Sequence, residues 1–343
     1  MRVRERVRHR PKPKPFLALL IGLAILSIFG GVAVGPVAIP LGEGLSAIFR
    51  PGDSGLHGLI IHQIRLPRVL LGFLVGLSLA LAGGVMQGLF RNPLASPYVL
   101  GIAAGASTGA AAAIALGFHG PVTLPLGAFL GGIGAVSLVY RLAQTGQGRS
   151  SPLSLILAGV ALGALFSAIT GFLLFITAGD RRLSEILFWT MGSLGRANWS
   201  YLWGMLPVAG LGGLFLQLSA RELNAFSLGE EGARHLGLEP EQFKRTLLLV
   251  TTLLTSTAVA FAGTIGFVGL ITPHAVRLIL GPDHRSLLPA SALAGGIFLI
   301  WADAAARTAL RPAELPLGII TALIGAPFFL YLLRTKARGG KMG

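Results

Sequence analysis

The sequence predicts an all-α protein that crosses a membrane ten times. Three observations lead to this fold class. Of the 343 residues, 53% are hydrophobic and only 12% are charged, which is too little polar surface to coat a water-soluble globule. The apolar residues form ten runs of about 17 to 25 residues, the length with which a helix crosses the hydrocarbon core. The basic residues lie mainly between these runs, where they indicate which side of the membrane each loop occupies.

The ten predicted spans follow one another along the chain with short connections. They cover residues 16–34, 69–90, 97–117, 122–140, 153–178, 201–219, 246–262, 264–280, 287–302 and 315–333. No cleavage site follows the first run, so residues 1–15 are interpreted as a retained basic tail on the cytoplasmic side rather than a signal peptide. An even number of spans returns the second basic tail, residues 336–343, to that side. Residues 16–335 then form a single transmembrane domain.

The distribution of the basic side chains agrees with this topology. Of the 28 Lys and Arg residues, 20 fall on segments that it places inside, including all five lysines, as the positive-inside rule requires. We therefore attribute the net charge of +15 to membrane orientation and not to nucleic-acid binding. The eight remaining arginines need another explanation: Arg50, Arg65, Arg68, Arg181, Arg182, Arg196, Arg307 and Arg311.

The largest predicted cytoplasmic loop, residues 223–245, is unusually rich in acidic side chains for such an apolar chain. It is predicted to form one short helix and the start of another. Ser227 is expected to cap the first helix, with Glu230 and Glu231 in its first turn, Gly237 at its end and Pro240 opening the next. Apolar residues on a segment outside the bilayer favour a protein partner, and the alternative is packing on the chain's own spans.

Several function classes find little support. The chain has no phosphate-binding loop motif and no H-E-x-x-H or G-x-S-x-G motif, and it has no cysteine. No acidic residue lies near the centre of a predicted span, whereas ion-coupled carriers usually have one there. His57 and His62 lack a third metal ligand nearby, so no metal is assigned. A membrane enzyme and an ion-coupled secondary transporter stay as less favoured alternatives to a transporter driven by another chain.

Five stretches of this sequence resemble the FecCD family of membrane subunits of ABC importers for iron-siderophores, haem and cobalamin. They are HQIRLPRVLLGF and its continuation (62–106), AGVALGALFSAIT (158–170), LFWTMGSLGRANW (187–199), GTIGFVGLITPHAVRLILG and its continuation (263–296), and ADAAARTALRPAELPLGII and its continuation (302–333). The resemblance runs from about residue 16 to 335.

The resemblance implies a fold, a location and a set of partners. Family members sit in the cell inner membrane, surrounded by lipid, with ten spans. They form homodimers, bind two ATPase subunits inside and receive cargo from an external binding protein. The resemblance implies no catalytic residue and no cofactor in this chain, because ATP and Mg²⁺ belong to the partner ATPase. An iron-siderophore is the first expectation for the cargo, and cobalamin and haem are the alternatives.

The resemblance also assigns roles to particular residues of this sequence. The coupling helices, which bind the ATPase, correspond to Ser227, Leu228, Gly229, Glu230, Glu231, Arg234, Leu236, Gly237 and Leu238. The cytoplasmic gate corresponds to Ser150, Ser151, Pro152 and Leu153, although Pro152 and Leu153 depart from the small hydroxyl residues seen at that gate in the cobalamin member. Docking of the external binding protein is expected at Arg65, Arg68 and Arg307, and snorkelling at the membrane interface is the alternative for each.

A weak internal repeat is consistent with this fold. At an offset of 180 residues, Ala82, Gly83, Val85 and Pro93 align with Ala262, Gly263, Ile265 and Pro273. This places the second span over the seventh. Five helices separate the copies, which predicts an inverted repeat of spans 2–5 and 7–10.

Overall fold

A computed structural model describes residues 11–37, 39, 55–144 and 149–339. Within these ranges the regular secondary structure is helical apart from two isolated β-bridges, Gln144 with Ser150 and Leu310 with Ala313. Most of the two basic tails lies outside the described residues. We number the α-helices in chain order as α1 (Pro13–Ala33), α2 (Gly55–Leu89), α3 (Ile102–Ala115), α4 (Thr123–Ala143), α5 (Pro152–Ile176), α6 (Arg181–Thr190), α7 (Trp199–Leu218), α8 (Ala220–Phe226), α9 (Glu230–His235), α10 (Pro240–Ala262), α11 (Val268–Leu280), α12 (His284–Ala306) and α13 (Leu317–Gly339).

All ten predicted spans fall on helices of this structure. Seven of them are long and apolar enough to cross a membrane by length and composition: α1, α2, α4, α5, α7, α10 and α12. The other three fall on α3, α11 and α13, of which α3 has 14 residues and α11 has 13. At 1.5 Å per residue such helices are about 20 Å long, less than the roughly 30 Å of hydrocarbon. A count of ten complete spans stays a prediction.

Three features differ from the sequence-based expectation. Helix α2 begins at Gly55, well before the predicted residue 69, and contains a π-helical stretch at Ile60–Arg65. His57 and His62 therefore lie on this helix. Helix α6 was not predicted, because its ten residues include three charged side chains and are too few for a span.

Close contacts between glycines bring the central helices together. A Cβ atom added at Gly83 on α2 would lie 1.8 Å from the carbonyl oxygen of Gly269 on α11, and one added at Gly76 would lie 2.3 Å from that of Gly295 on α12. Small residues allow this backbone approach where lipid supplies no hydrophobic drive between helices. Helices α2, α10 and α12 are consequently mostly buried, whereas only 6% of the apolar 18-residue stretch of α5 is buried within this chain.

Candidate functional site

The predicted coupling segment folds as two short helices, α8 and α9, followed by the start of α10. Phe226 at the end of α8 and Ala233 in α9 are buried against the core formed by α2, α10 and α12. The segment is therefore anchored on the chain's own helices by one apolar face. Its fixed position leaves the opposite face for contacts outside the chain.

The prediction that Ser227 caps the helix carrying Glu230 was wrong. The Ser227 hydroxyl donates a hydrogen bond to the Leu223 carbonyl oxygen at 2.9 Å, at the end of α8. Helix α9 begins instead after Gly229, whose backbone φ of 114° is rarely adopted by residues other than glycine. The expected end at Gly237, with φ of 81°, and the expected start of the next helix at Pro240 are confirmed.

Two leucines of the coupling segment are exposed. Leu228 retains 75% of its accessible surface and Leu236 retains 63%. Glu231 and Arg234 on α9 are exposed as well, so the segment exposes both apolar and charged side chains. Leu238, predicted to belong to the same surface, is instead half-buried and packs on the core. The surface available to a partner therefore consists of Leu228, Leu236 and their charged neighbours.

Beneath this surface lies a buried lysine with three oxygen partners. Lys244 on α10 is only 2% exposed. Its ammonium group is 3.0 Å from Oε1 of Glu230 and 2.9 Å from Oε2 of Glu241, and it also donates to the carbonyl oxygen of Ser150. We call Lys244, Glu230, Glu241 and Ser150 the lysine cluster.

The lysine cluster reaches the predicted gate residues. The Ser150 hydroxyl donates to Oε1 of Glu241 at 2.7 Å, and Ser150 is buried. Ser151 caps α5 by accepting a hydrogen bond from the Ser154 backbone N–H at 3.0 Å, and Pro152 is the first residue of that helix. Leu153 is 65% exposed. Of the four predicted gate residues, Ser151 and Leu153 therefore present surface to the outside of this chain.

The opposite end of the helices carries a second buried ionic group. Arg68 on α2 lies between two carboxylates, with Nη2 2.9 Å from Oδ1 of Asp303 and 2.9 Å from Oε2 of Glu314. Nε of Arg307 lies 3.1 Å from Oδ2 of Asp303. Arg65 donates to backbone carbonyl oxygens at the end of α1. We call Arg65, Arg68, Asp303, Arg307 and Glu314 the arginine cluster.

The three arginines predicted to dock a binding protein are therefore brought together, but inside the chain. Arg65, Arg68 and Arg307 are 3%, 7% and 2% exposed, so they are neither solvent-facing nor snorkelling. Their intramolecular partners support a structural role in joining α1, α2 and α12. The docking role stays a prediction.

A polar connection ties the coupling segment to α12. Asn224 on α8 donates to Oδ1 of Asp283 at 2.7 Å, and its side-chain oxygen accepts from the His284 backbone N–H at 2.9 Å. Hydrogen bonds from Arg285 hold the pKa of Asp283 well below its usual range. Asp283 also caps α12 by accepting from the Arg285 backbone N–H. Sequence analysis missed this contact, although Asp283 follows a glycine-proline pair typical of a turn and is itself a favoured residue at a helix N-cap.

Within the described ranges no group of three or more His, Asp or Glu side chains is arranged to hold a metal ion. The assignment of no metal to this chain stays a prediction.

Comparisons with known proteins give consistent matches. The model of the FecCD transport family matches residues 20–335. The cobalamin import system permease protein of Halobacterium salinarum is 49% identical over 278 residues, covering 81% of this chain and 74% of its own. The hemin transport system permease protein of Yersinia pestis is 40% identical over 333 residues, covering 94% of this chain and 96% of its own.

Solved structures agree with the sequence matches. A metal-chelate type ABC transporter in an inward-facing conformation superposes with a TM-score of 0.85 at 34% identity, covering 94% of this chain and all of that chain. A second structure, of PsaBC from Streptococcus pneumoniae, has a TM-score of 0.57 at 20% identity and shares the fold. Relatives named as permeases make this chain a transport component rather than an enzyme. The chain belongs to the FecCD transport family.

Proposed function

We propose that this chain is the permease subunit of an ATP-driven importer and that α8 and α9 bind the ATPase. The observation that carries this proposal is the coupling segment, which exposes Leu228 and Leu236 beside Glu231 and Arg234 while its other face is fixed on the core. An exposed apolar pair with charged neighbours suits a protein partner better than water. ATP and Mg²⁺ would be held by that partner.

The proposed assembly contains two copies of this chain and two ATPases. The exposed apolar surface of α5 supports a homodimer with this helix beside the translocation path. Both termini lie in the cytoplasm, the chain has ten spans arranged as an inverted repeat, and it resides in the inner membrane among lipid. An external binding protein docks on the end that carries the arginine cluster. Ser150, Ser151, Pro152 and Leu153 form the cytoplasmic gate.

The proposed cargo is a bulky metal chelate. Predicted spans without acidic residues near their centres suit a chelate delivered whole, because a bare cation requires a cage of oxygen ligands. Cobalamin is the candidate favoured by the relative from Halobacterium salinarum, and haem is the one favoured by the relative from Yersinia pestis. An Fe(III)-siderophore is the candidate that the sequence resemblance favours. Uptake of the three labelled chelates into cells that carry this permease, its ATPase and its binding protein separates them.

The coupling surface is tested by placing charge on it. The double change Leu228→Asp and Leu236→Asp is expected to cost several kcal/mol of ATPase binding, since each carboxylate would be desolvated in an apolar contact. ATPase retained by the affinity-purified permease is the measurement. Leu310→Asp, at a leucine of similar exposure (59%) near the opposite end of the helices, is the matched control.

The outcomes separate the function classes. Loss of the ATPase from the double variant, with the control unchanged, supports an importer permease. Full ATPase retention by the double variant would remove the assigned role of these leucines. Transport by the chain alone in liposomes without ATP would instead favour a secondary transporter, and ATP hydrolysis by the isolated chain would contradict the proposal.

A further inference from the structure

The lysine cluster joins three parts of the chain that are distant in sequence. Glu230 belongs to α9, Lys244 and Glu241 belong to the first turns of α10, and Ser150 immediately precedes the cap of α5. Lys244 contacts Ser150 across 94 residues of sequence. The side chain of Lys244 thus bridges the segment proposed to bind the ATPase and the segment proposed to form the gate.

The chemistry of Lys244 makes this bridge difficult to break. An ammonium group has three N–H donors, and here three oxygen-bearing partners surround it: Glu230, Glu241 and Ser150. Because the lysine is buried, withdrawing a partner would leave part of a buried charge uncompensated, which is strongly unfavourable. A displacement of Glu230 is therefore expected to draw Lys244 with it.

Ser150 is held by both members of the central pair. Its carbonyl oxygen accepts from Lys244, while its hydroxyl and its backbone N–H donate to Glu241 at 2.7 and 3.3 Å. A serine held at three atoms follows the pair when it moves. Its neighbour Ser151 caps α5, so movement of Ser150 is passed to the start of that helix.

We infer that Lys244 is a positioning residue that transmits movement of α9 to the gate segment 150–153. This inference rests on the proposed function, because it requires that an ATPase moves α9. It gives Glu230 two roles: its backbone is part of the coupling helix α9, and its carboxylate pairs with the ammonium group of Lys244. A purely static role for the cluster, in which it only stabilises the fold, is the alternative that the experiment must separate.

The experiment measures movement at both ends of the bridge. The natural chain has no cysteine, so His235→Cys on α9 and Leu153→Cys on α5, each exposed, can be spin-labelled singly in the assembled transporter. Distances between the two copies are measured by electron paramagnetic resonance with and without Mg-ATP and vanadate. Each label is combined with Lys244→Gln or Glu230→Gln.

A matched control is available in the same loop. Glu239→Gln removes a carboxylate that is exposed and for which the described part of the chain shows no ion pair. In the unmodified background and in this control, ATP is expected to change the distance at both labels. In Lys244→Gln and Glu230→Gln, ATP is expected to change the distance at residue 235 but no longer at residue 153, and cargo moved per ATP is expected to fall about tenfold.

Each outcome bears on the inference. A normal ATP response at residue 153 in both variants overturns it, because the gate then moves without the cluster. Loss of the response at residue 235 in the variants also overturns it, because the cluster is then needed for ATPase binding rather than transmission. If Lys244→Gln fails to assemble, Glu230→Gln, which removes the charge of one partner of Lys244 and leaves the other two unchanged, decides between these results. Absence of any ATP response in the unmodified background refutes the proposed function itself.

Discussion

Neutralising Asp303 is expected to destabilise the protein more than neutralising any other carboxylate of the arginine cluster. Its side chain is 3% exposed and lies within 3.1 Å of guanidinium nitrogens from both Arg68 and Arg307. Asp303→Asn keeps the shape of the side chain and removes its charge. Two buried guanidinium groups would then face each other with one carboxylate fewer between them.

The expected magnitude follows from burial. Removing one partner of a buried ion pair typically costs about 3–5 kcal/mol, because the other charge remains buried. Arg68 retains Glu314, at 2.9 and 3.0 Å, and Arg307 retains two backbone carbonyl oxygens at the end of α1, so the lower part of that range is expected. Glu314→Gln is the matched control. Its side chain is 37% exposed, and loss of a solvated ion pair costs about 1 kcal/mol or less.

The free energy of unfolding of each variant can be measured by titrating a denaturing detergent into mixed micelles. A difference of about 2 kcal/mol or more between Asp303→Asn and Glu314→Gln agrees with this reasoning. Equal destabilisation of the two variants would refute it, since burial would then not govern the strength of the pairs. The same measurement must precede any docking assay with Arg65, Arg68 or Arg307 changed to Glu, because such changes bury unpaired negative charge.

Two further predictions concern packing and pH. Gly83→Ala is expected to destabilise the protein by about 1–3 kcal/mol, since its methyl group would overlap the Gly269 carbonyl oxygen. The control is Gly134→Ala, where no atom lies within 4 Å of the added Cβ. This variant should be neutral or stabilising in the same mixed-micelle assay. Because the pKa of Asp283 is lowered in the folded protein, its stabilising contribution is fully present above about pH 4, which is the ordinary pKa of an aspartate. The contribution is lost as the pH falls from there towards the lowered pKa. The stability gap between the natural chain and Asp283→Asn should therefore shrink only below that pH; a gap that shrinks between pH 7 and 5 would contradict the assignment.

The sequence predicts the helices well because long apolar runs determine them locally. The fifth span, predicted at 153–178, appears as Pro152–Ile176, and the sixth, predicted at 201–219, appears as Trp199–Leu218. The start of α2 was missed because residues 55–65 include histidine, glutamine and arginine, which lower the hydropathy without preventing a helix. Hydropathy reports where a helix meets lipid and not where it begins.

The ionic partners could not be predicted in the same way. Arg68 meets Asp303 across 235 residues and Glu314 across 246 residues, and no local spacing encodes such a contact. A basic residue near the end of a span looks the same in sequence whether it faces water, a partner or a carboxylate of its own chain. Two pairs do follow helical spacing: Glu241 with Lys244, three residues apart on α10, and Asp303 with Arg307, four residues apart at the end of α12.

The placement of charge has an electrical consequence. The arginine cluster and the lysine cluster lie near opposite ends of the helices, and no acidic residue occupies the centre of a predicted span. Each elementary charge moved across the whole membrane potential changes the energy by about 2.3 kcal/mol per 100 mV. Helices whose middles are uncharged move little charge through this field when they rearrange. The conformational cycle of the permease should therefore depend on ATP and be nearly indifferent to membrane voltage, so that import of an uncharged cargo continues at the same rate when the membrane is depolarised.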